Sequence, residues 1–573
     1  MNSIPNESSQ RFFRLTCTLA GLVILVLIVY GRAIGFEFTN WDDVLFIVDN
    51  PNLKTPDGKG VAAIVTPGQN YKETLFIPIT YLSYWVECYW FGLSSRVVHV
   101  TNIIIHGING VLLVMFLNTI QRSTRVSMIA AVLFILHPLQ VETVAWALGR
   151  KDLLATGLSL GALITWRQWC RPCDSRGRHI ALGSFSVFLG ILALLAKPTA
   201  VVLPVIMLMV WGVRKLRRPQ DSEAHGTTIV IPLCLLVAAV CVIPLSEQGE
   251  FIPQYALPTV QRMVLWPWIM TTWVFRLIMD VHPQTFYPWP EQDGVGSLIC
   301  MGGCAAAFFL ALLIWLWKRE KHTIVVGLLF TAIGFLPTLS IPLHYRHFCT
   351  ADRYGYFPLI GCFLVVAIGL DAVLRYRQSL GIATSLVLTV VLVVQQQIRL
   401  SEWSDSLSLW RAQVSKLPAD PYGYVYLGKA FETRGDDQHA LENLAIAVQL
   451  GTNDETVYFH MGNILTKYGR LDQAEVAFKE ALLRSPGYVE SMVNLANVHV
   501  YKKQYQKAIT IYTKALDFDS PYKPQINMNL AICYKEIGQY VPALAAVRRA
   551  LIMQPDNPAA VALETSLKTR VQH

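Results

Sequence analysis

The sequence predicts an all-α protein in two parts. A bundle of about eleven membrane-spanning helices covers residues 1–398, an α-solenoid of helical repeats covers 421–573, and a capping or linker helix over 399–420 joins them. Three observations predict this. Apolar residues make up 53% of the chain and charged residues only 15%, where a soluble protein carries roughly 25% charged. The apolar residues gather into long runs before residue 398, and the polar tail repeats with a fixed period.

A span needs about 20 mostly apolar residues. Such runs lie near 12–30, 99–120, 127–147, 152–167, 180–196, 199–214, 227–245, 297–317, 322–342, 355–374 and 380–398. The first is read as a retained anchor, since no small-residue cleavage site follows Tyr30 and ten more spans come after it. The stretch 260–280 is interrupted by Arg262, Pro267, Arg276 and Asp280, which suits an interfacial or re-entrant segment.

Lys and Arg in short loops set orientation. With eleven spans, Arg11 and Arg14, Arg122 and Arg125, Arg167–Arg178, Arg214–Arg218, Lys318–Lys321, and Arg375 with Arg377 all fall on one side, the cytoplasmic one. A spanning 260–280 would put the later basic loops outside, so the charge rule favours re-entry. The opposite side receives loop 31–98, the His137–Asp152 turn, Ala196–Pro198, 246–296, 343–354 and the repeats. The basic cytoplasmic loops and their contact with anionic lipid account for the net charge of +9 without a nucleic-acid partner. Cys170 and Cys173 form a lone C-x-x-C, and with no second pair it does not read as a zinc site.

The tail's period can be counted. Ala440, Ala474, Ala508 and Ala543 recur, as do Ala447, Ala481, Ala515 and Ala550, with Gly435, Gly469 and Gly538 at the turn within a repeat. This is the tetratricopeptide pattern of two antiparallel helices per unit, repeated about four times. Stacks of this kind make concave grooves that bind extended peptide or another helix. Trp403–Leu417, with Trp410, is expected to cap the array against the membrane part.

Asp42 and Asp43, just beyond the first span, are the most informative residues. Carboxylates there sit at the outer membrane surface, within reach of both a lipid-borne group and a protein held by the repeats. Tyr71–Phe91 is expected to lie along the membrane as an interfacial helix.

Asp42-Asp43, His137-Pro-Leu-Gln-Val-Glu-Thr143 with Gly149-Arg-Lys-Asp-Leu153, Leu194-Leu-Ala-Lys-Pro-Thr199, Phe286-Tyr-Pro-Trp289 and Ala351-Asp-Arg-Tyr-Gly-Tyr-Phe357 follow in order. In that order, and with that tail, the whole chain resembles the transmembrane and tetratricopeptide-repeat-containing O-mannosyltransferases and their bacterial relatives. The resemblance implies a GT-C glycosyltransferase moving a monosaccharide from a polyprenyl-phosphate carrier to a hydroxyl, on Ser or Thr of a protein, at the non-cytoplasmic face. It implies no cofactor, no metal and no nucleotide sugar; the lipid-linked sugar is itself the donor substrate.

Attack by a hydroxyl at an anomeric carbon needs a carboxylate to accept its proton. Asp42 resembles the first-loop catalytic Asp, and Asp43 is expected to orient the acceptor or to be the base itself. The leaving lipid phosphate needs cations, for which Arg150, Lys151, Lys197, Arg346 and Arg353 are the outer-face candidates. Lys197 and Arg353 stand out at the ends of apolar spans, with Asp352 or Glu142 as alternative partners. His137, Glu142 and Trp41 are candidates for contact with sugar or acceptor. His344 and His347 near Asp352 can be drawn as a metal site, which the reaction does not call for. An O-antigen-type ligase or polymerase, and a non-catalytic scaffold with protein-binding repeats, are the alternatives. The single sequon, Asn6-Glu-Ser8, falls on the cytoplasmic side, which points to a bacterial inner membrane, with the endoplasmic reticulum as the alternative.

Overall fold

An apolar run in lipid has no water to satisfy its backbone, so it satisfies itself as helix. Helix accordingly dominates the computed structural model, which describes residues 20–54, 56–71, 75–121, 123–171, 175–217, 230–242, 259–279, 284–288, 295–340 and 348–572. The chain divides into two compact units, Met1–Lys416 and Leu417–His573.

Eleven spans are more than the described helices support. Five are long and apolar enough to cross a bilayer: Ser95–Ile120, Arg176–Ala196, Pro198–Leu216, Val295–Lys318 and Gln378–Glu402. The others expected are shorter or more polar. Val230–Val242 has 13 residues, Ile360–Tyr376 has 17, and Arg150–Trp169 carries Arg150, Lys151, Asp152 and Arg167. The run expected at 127–147 is not one straight helix. It breaks into Thr124–Leu136 and Pro138–Ala145, bent by 62°, because Pro138 lacks an N–H and forces His137 out of helical geometry, to φ −70 and ψ 130.

Two other expectations change. Residues 260–279 lie within one uninterrupted helix, Thr259–Met279, which runs through Pro267 with no re-entrant turn and packs along Val295–Lys318. The helix expected over Tyr71–Phe91 starts at Pro78. Proline is well placed there, since the first helical N–H has no partner to lose. Tyr89, Trp90 and Phe91 are exposed on this helix, while Tyr84 and Glu87 turn inward.

Loops of like position meet. At one end of the bundle Arg125 and Arg375 both pair with Asp371, the latter at 2.8 Å. At the other end, the connections expected on the outer side are tied together. Thr80 Oγ1 donates to the Ala196 carbonyl at 3.0 Å, Tyr84 OH to the Ala147 carbonyl at 2.7 Å, and Glu37 N to the Ser404 carbonyl at 3.0 Å. A two-strand antiparallel pair, Tyr287–Pro288 with Phe348–Thr350, fastens the 284–288 segment beside the Asp352–Gly355 turn.

The expected linker helix belongs to the first unit. Ser406–Lys416 buries Leu409 and Trp410, with Trp410 Nε1 donating to Asn40 Oδ1 at 2.6 Å and Gln413 accepting from Thr285 N at 3.0 Å. The second unit is four antiparallel helix pairs, Pro421–Thr433 with Asp437–Gln449, Glu455–Lys467 with Leu471–Arg484, Val489–Tyr501 with Tyr505–Ala515, and Lys523–Glu536 with Tyr540–Met553, closed by Pro558–Gln572. The recurrent Ala440, Ala474, Ala508 and Ala543 are all fully buried, where a small side chain lets paired helices close on each other.

Candidate active site

The site is built from a rigid frame and a charged lining. Asp43 belongs to the frame. Its Oδ2 accepts from Thr39 N and Thr39 Oγ1, both at 2.9 Å, and its Oδ1 from Leu148 N at 3.2 Å. Burial pushes its carboxyl up to about 7, against the pull of those donors and with the neighbouring Asp42 charge adding to the rise. With both oxygens engaged, Asp43 pins the first outer loop onto the 141–149 segment. The segment it grips is tightly folded: a Cβ on Gly149 would lie 2.2 Å from the Thr143 carbonyl oxygen, so only glycine fits that turn.

Arg150 is also frame, which overturns its expected contact with phosphate. Its guanidinium is fully buried. Nε donates to Asn102 Oδ1 at 2.8 Å, Nη2 to the Val98 carbonyl at 2.7 Å, Nη1 lies 2.7 Å from Glu87 Oε2, and the group stacks 4.5 Å from the Tyr84 ring centroid. Every nitrogen of its fork thus faces a polar group of the protein. His137 is satisfied as well. Nδ1 accepts from Leu139 N at 3.3 Å, capping the short helical turn after it, which leaves Nε2–H to donate to the Leu277 carbonyl at 3.1 Å. Trp41 stacks on Phe286 with centroids 5.7 Å apart and leans on Trp410 at 5.1 Å, a packing role rather than a sugar contact.

Four of the expected residues converge. Asp42 is half-buried, and its carboxylate accepts no hydrogen bond among the described residues. Burial raises its pKa, while Lys151 and Arg353 nearby pull it down. Lys151 Nζ sits 4.9 Å from the Trp146 ring centroid, within the field of Lys197, Asp42, Asp152 and Arg353, and makes no ion pair among the described residues. Lys197 pairs with Asp152 and lies 5.3 Å from the Tyr354 ring. The Arg353 guanidinium is 5.1 Å from Trp146 and 5.0 Å from Tyr354. Two aromatic rings thus bring three cations together beside one unengaged carboxylate, and cation–π contact holds their positions without neutralising them.

Glu142 holds Arg353: its Oε1 is 2.6 Å from Arg353 Nη1 and its Oε2 accepts from Arg353 N at 3.3 Å. Next to this pair Asp352 accepts from Tyr287 OH at 2.8 Å and meets Arg399 Nη2 at 3.3 Å. Arg399 binds Glu402 at 2.6 Å, and Glu402 binds Lys416 at 2.7 Å. Arg346, His344, His347 and Cys173 lie outside the described residues.

Asp152, Glu87, Asn102, Arg399 and Glu402 are the functional neighbours that sequence reasoning missed. Arg399 and Glu402 had a usable signal, a charged pair at i, i+3 closing an apolar run, where charge is costly unless paired. Glu87 and Asn102 had none.

Residues 455–488 and 500–567 match the tetratricopeptide repeat family. Over 76% of its length the chain is 24% identical to protein O-mannosyl-transferase TMTC1 of Homo sapiens, of which 55% is covered. It is likewise 24% identical over 76% of its length to protein O-mannosyl-transferase F38B6.6 of Caenorhabditis elegans, of which 63% is covered. The chain therefore spans less than two thirds of the length of these relatives. Among solved structures, MamA is 20% identical, covering 26% of this chain and 86% of that one with a TM-score of 0.25.

Proposed function

We propose that this homologue of the transmembrane, tetratricopeptide-bearing O-mannosyl-transferases is itself a membrane glycosyltransferase. It moves a monosaccharide from a polyprenyl-phosphate carrier to a Ser or Thr hydroxyl of a protein, on the side of the membrane away from its basic loops. The observation that carries this reading is the meeting of unengaged Asp42 with Lys151, Lys197 and Arg353.

In the reaction the acceptor oxygen bonds to the anomeric carbon as the bond from that carbon to the phosphate oxygen breaks. The hydroxyl proton passes to Asp42, which needs to be ionised and uncommitted to receive it. The bonding electrons leave with the polyprenyl phosphate, whose growing charge faces Lys151, Lys197 and Arg353. Arg353, fixed by Glu142, offers a planar fork, while Lys151 offers a compact point charge that makes no ion pair among the described residues. Asp43 acts through Asp42 by fixing the loop that carries both. Tetratricopeptide repeats bind proteins, and here they would hold the acceptor.

Sugar transfer by the purified protein in lipid nanodiscs tests this, using radiolabelled polyprenyl-phosphate sugars and membrane-envelope protein as acceptor. Transfer by wild type and none by Asp42→Asn, with the fold intact by circular dichroism, is the expected result. Undiminished transfer by Asp42→Asn would remove the mechanism. No transfer from any donor would favour a scaffold.

A further inference from the structure

One short helix holds both the loop that carries Asp42 and the turn that carries Arg353. Ser406–Lys416 starts behind Asp405, whose Oδ1 accepts from Ser408 N at 3.1 Å and whose Oδ2 accepts from Ser408 Oγ at 2.8 Å, so its first turn is capped. Ser406, Leu409, Trp410, Gln413 and Lys416 share one face at helical spacing, and the three in the middle are buried. A helix of 11 residues is about 16 Å long, and its two ends grip different parts of the first unit.

The first end holds the loop of Asp42. Ser406 Oγ accepts from Asn40 N at 2.9 Å, and Trp410 Nε1 donates to Asn40 Oδ1 at 2.6 Å. Just before the helix, the Ser404 carbonyl accepts from Glu37 N at 3.0 Å. Asn40 is therefore fixed by backbone and side chain two residues from Asp42.

The other end holds the turn of Arg353 by two routes. Gln413 Oε1 accepts from Thr285 N at 3.0 Å and its Nε2 donates to the Phe286 carbonyl at 3.3 Å; the next residue, Tyr287, donates its hydroxyl to Asp352 at 2.8 Å. Lys416 reaches the same carboxylate through a row of charges. Its Nζ lies 2.7 Å from both Glu402 oxygens, and Arg399 lies 2.6 Å from Glu402 and 3.3 Å from Asp352. Exposure along this row runs from 0% at Asp352 to 12% at Glu402. Buried ion pairs are costly to break one partner at a time, so the row keeps the register of the helix that ends it. A base and a cation that act on one substrate need a fixed separation, since a misplacement of about 1 Å can cost on the order of 10²-fold in rate. Loops hold such distances only when a rigid element supports them.

We propose that helix Ser406–Lys416 is a strut that sets the separation of Asp42 from Arg353, and that Ser406 and Lys416, at its two ends, are positioning residues of the transfer. Its bearing on transfer rests on the proposed function; the coupling of loop to turn through the helix does not.

Hydrogen exchange on the full-length protein in nanodiscs, with no donor or acceptor present, tests the coupling. Ser406→Ala removes the acceptor of Asn40 N, and Lys416→Gln removes the charge that Glu402 holds. Each should speed amide exchange at least about threefold in both 37–43 and 350–356, although Ser406 grips the first segment and Lys416 the second. Lys416→Arg keeps the charge and should restore wild-type exchange in both. Ser415→Ala, on the same helix with its hydroxyl on the Ala412 carbonyl at 2.8 Å, should change neither. Faster exchange confined to the segment that each end grips would overturn the proposal.

Sugar transfer tests the positioning. Each single variant should lower kcat about tenfold with the KM for donor within about twofold. The double variant should also lose about tenfold rather than about a hundredfold, because a strut released at one end no longer fixes the distance. Substitutions more than about 7–10 Å apart with no shared partner otherwise add, so multiplied losses would overturn the strut, as would an unchanged kcat in the single variants. A wild type that transfers nothing would count against the proposed function, and exchange would still decide whether the helix couples loop to turn.

Discussion

Asp42 and Lys151 lie in each other's field, and neither is held by an ion pair among the described residues. Every other charge of the cluster has a partner: Lys197 has Asp152 and Arg353 has Glu142. An acid and a base that the fold brings together yet leaves unpaired are available to a reaction. Protonated Asp42 cannot take the acceptor's proton, so transfer should fall as pH drops through its pKa. Burial raises that pKa, which places the acid limb of the kcat profile above the usual carboxylate range. Lys151 pulls it down, so Lys151→Met should move the limb to higher pH and also slow transfer by about 10²-fold through loss of charge at the phosphate. A limb that does not move in the variant would uncouple the two residues.

Asp42→Asn and Asp43→Asn should fail in different ways. The first changes a side chain that accepts no hydrogen bond among the described residues, and it should abolish transfer while leaving thermal stability unchanged. The second turns an amide N–H₂ toward the donors Thr39 N or Leu148 N, stranding at least one of them at a cost of about 1–3 kcal/mol. Lower Tm and faster proteolysis between residues 31 and 98 are expected for Asp43→Asn, with transfer reduced in proportion to loop disorder. Equal Tm values for the two variants would refute this division of roles.

Arg353 and Glu142 have side chains only 5% and 0% exposed. Removing one partner leaves a buried charge alone, so Arg353→Met should destabilise by about 3–5 kcal/mol, and Glu142→Gln should do so by a similar amount. The double variant should recover most of that stability and none of the activity, because the fork that faces the phosphate is gone. A double-mutant cycle by thermal unfolding reads the coupling; additive losses would mean the pair is not the anchor of this turn.

What could be read ahead of the structure follows from distance along the chain. The repeats are local, each pair of helices closing within 34 or 35 residues, so periodic Ala and Gly reveal them. Lys197, Arg353 and Lys151 were legible because a charge at the edge of an apolar run demands an explanation. Their partners were harder, since Glu142 lies 211 residues from Arg353 and nothing near either residue selects the other. Asp42 and Asp43 are indistinguishable as neighbours in sequence. Only the fold of Leu148 onto Asp43 distinguishes the proposed base from its proposed support. The break at His137 was written in Pro138 but hidden by the apolar residues on both sides.

The turn within each repeat offers a test that depends on no activity. Gly435, Gly469 and Gly538 take up left-handed backbone with φ of 78, 68 and 78. The third repeat breaks the pattern: the corresponding position is Lys503, at φ 58. A side chain there costs about 1–2 kcal/mol through the approach of Cβ to the backbone, offset in part by the greater freedom glycine has when unfolded. Lys503→Gly should therefore raise the unfolding free energy of the repeats by about 0.5–1 kcal/mol, and Gly469→Ala should lower it by a similar amount. Both can be followed by urea denaturation. Lys503 makes no ion pair among the described residues, so its loss removes no contact that would mask the gain. A destabilised Lys503→Gly would show that the strain of the left-handed turn is smaller than the extra entropy glycine loses on folding.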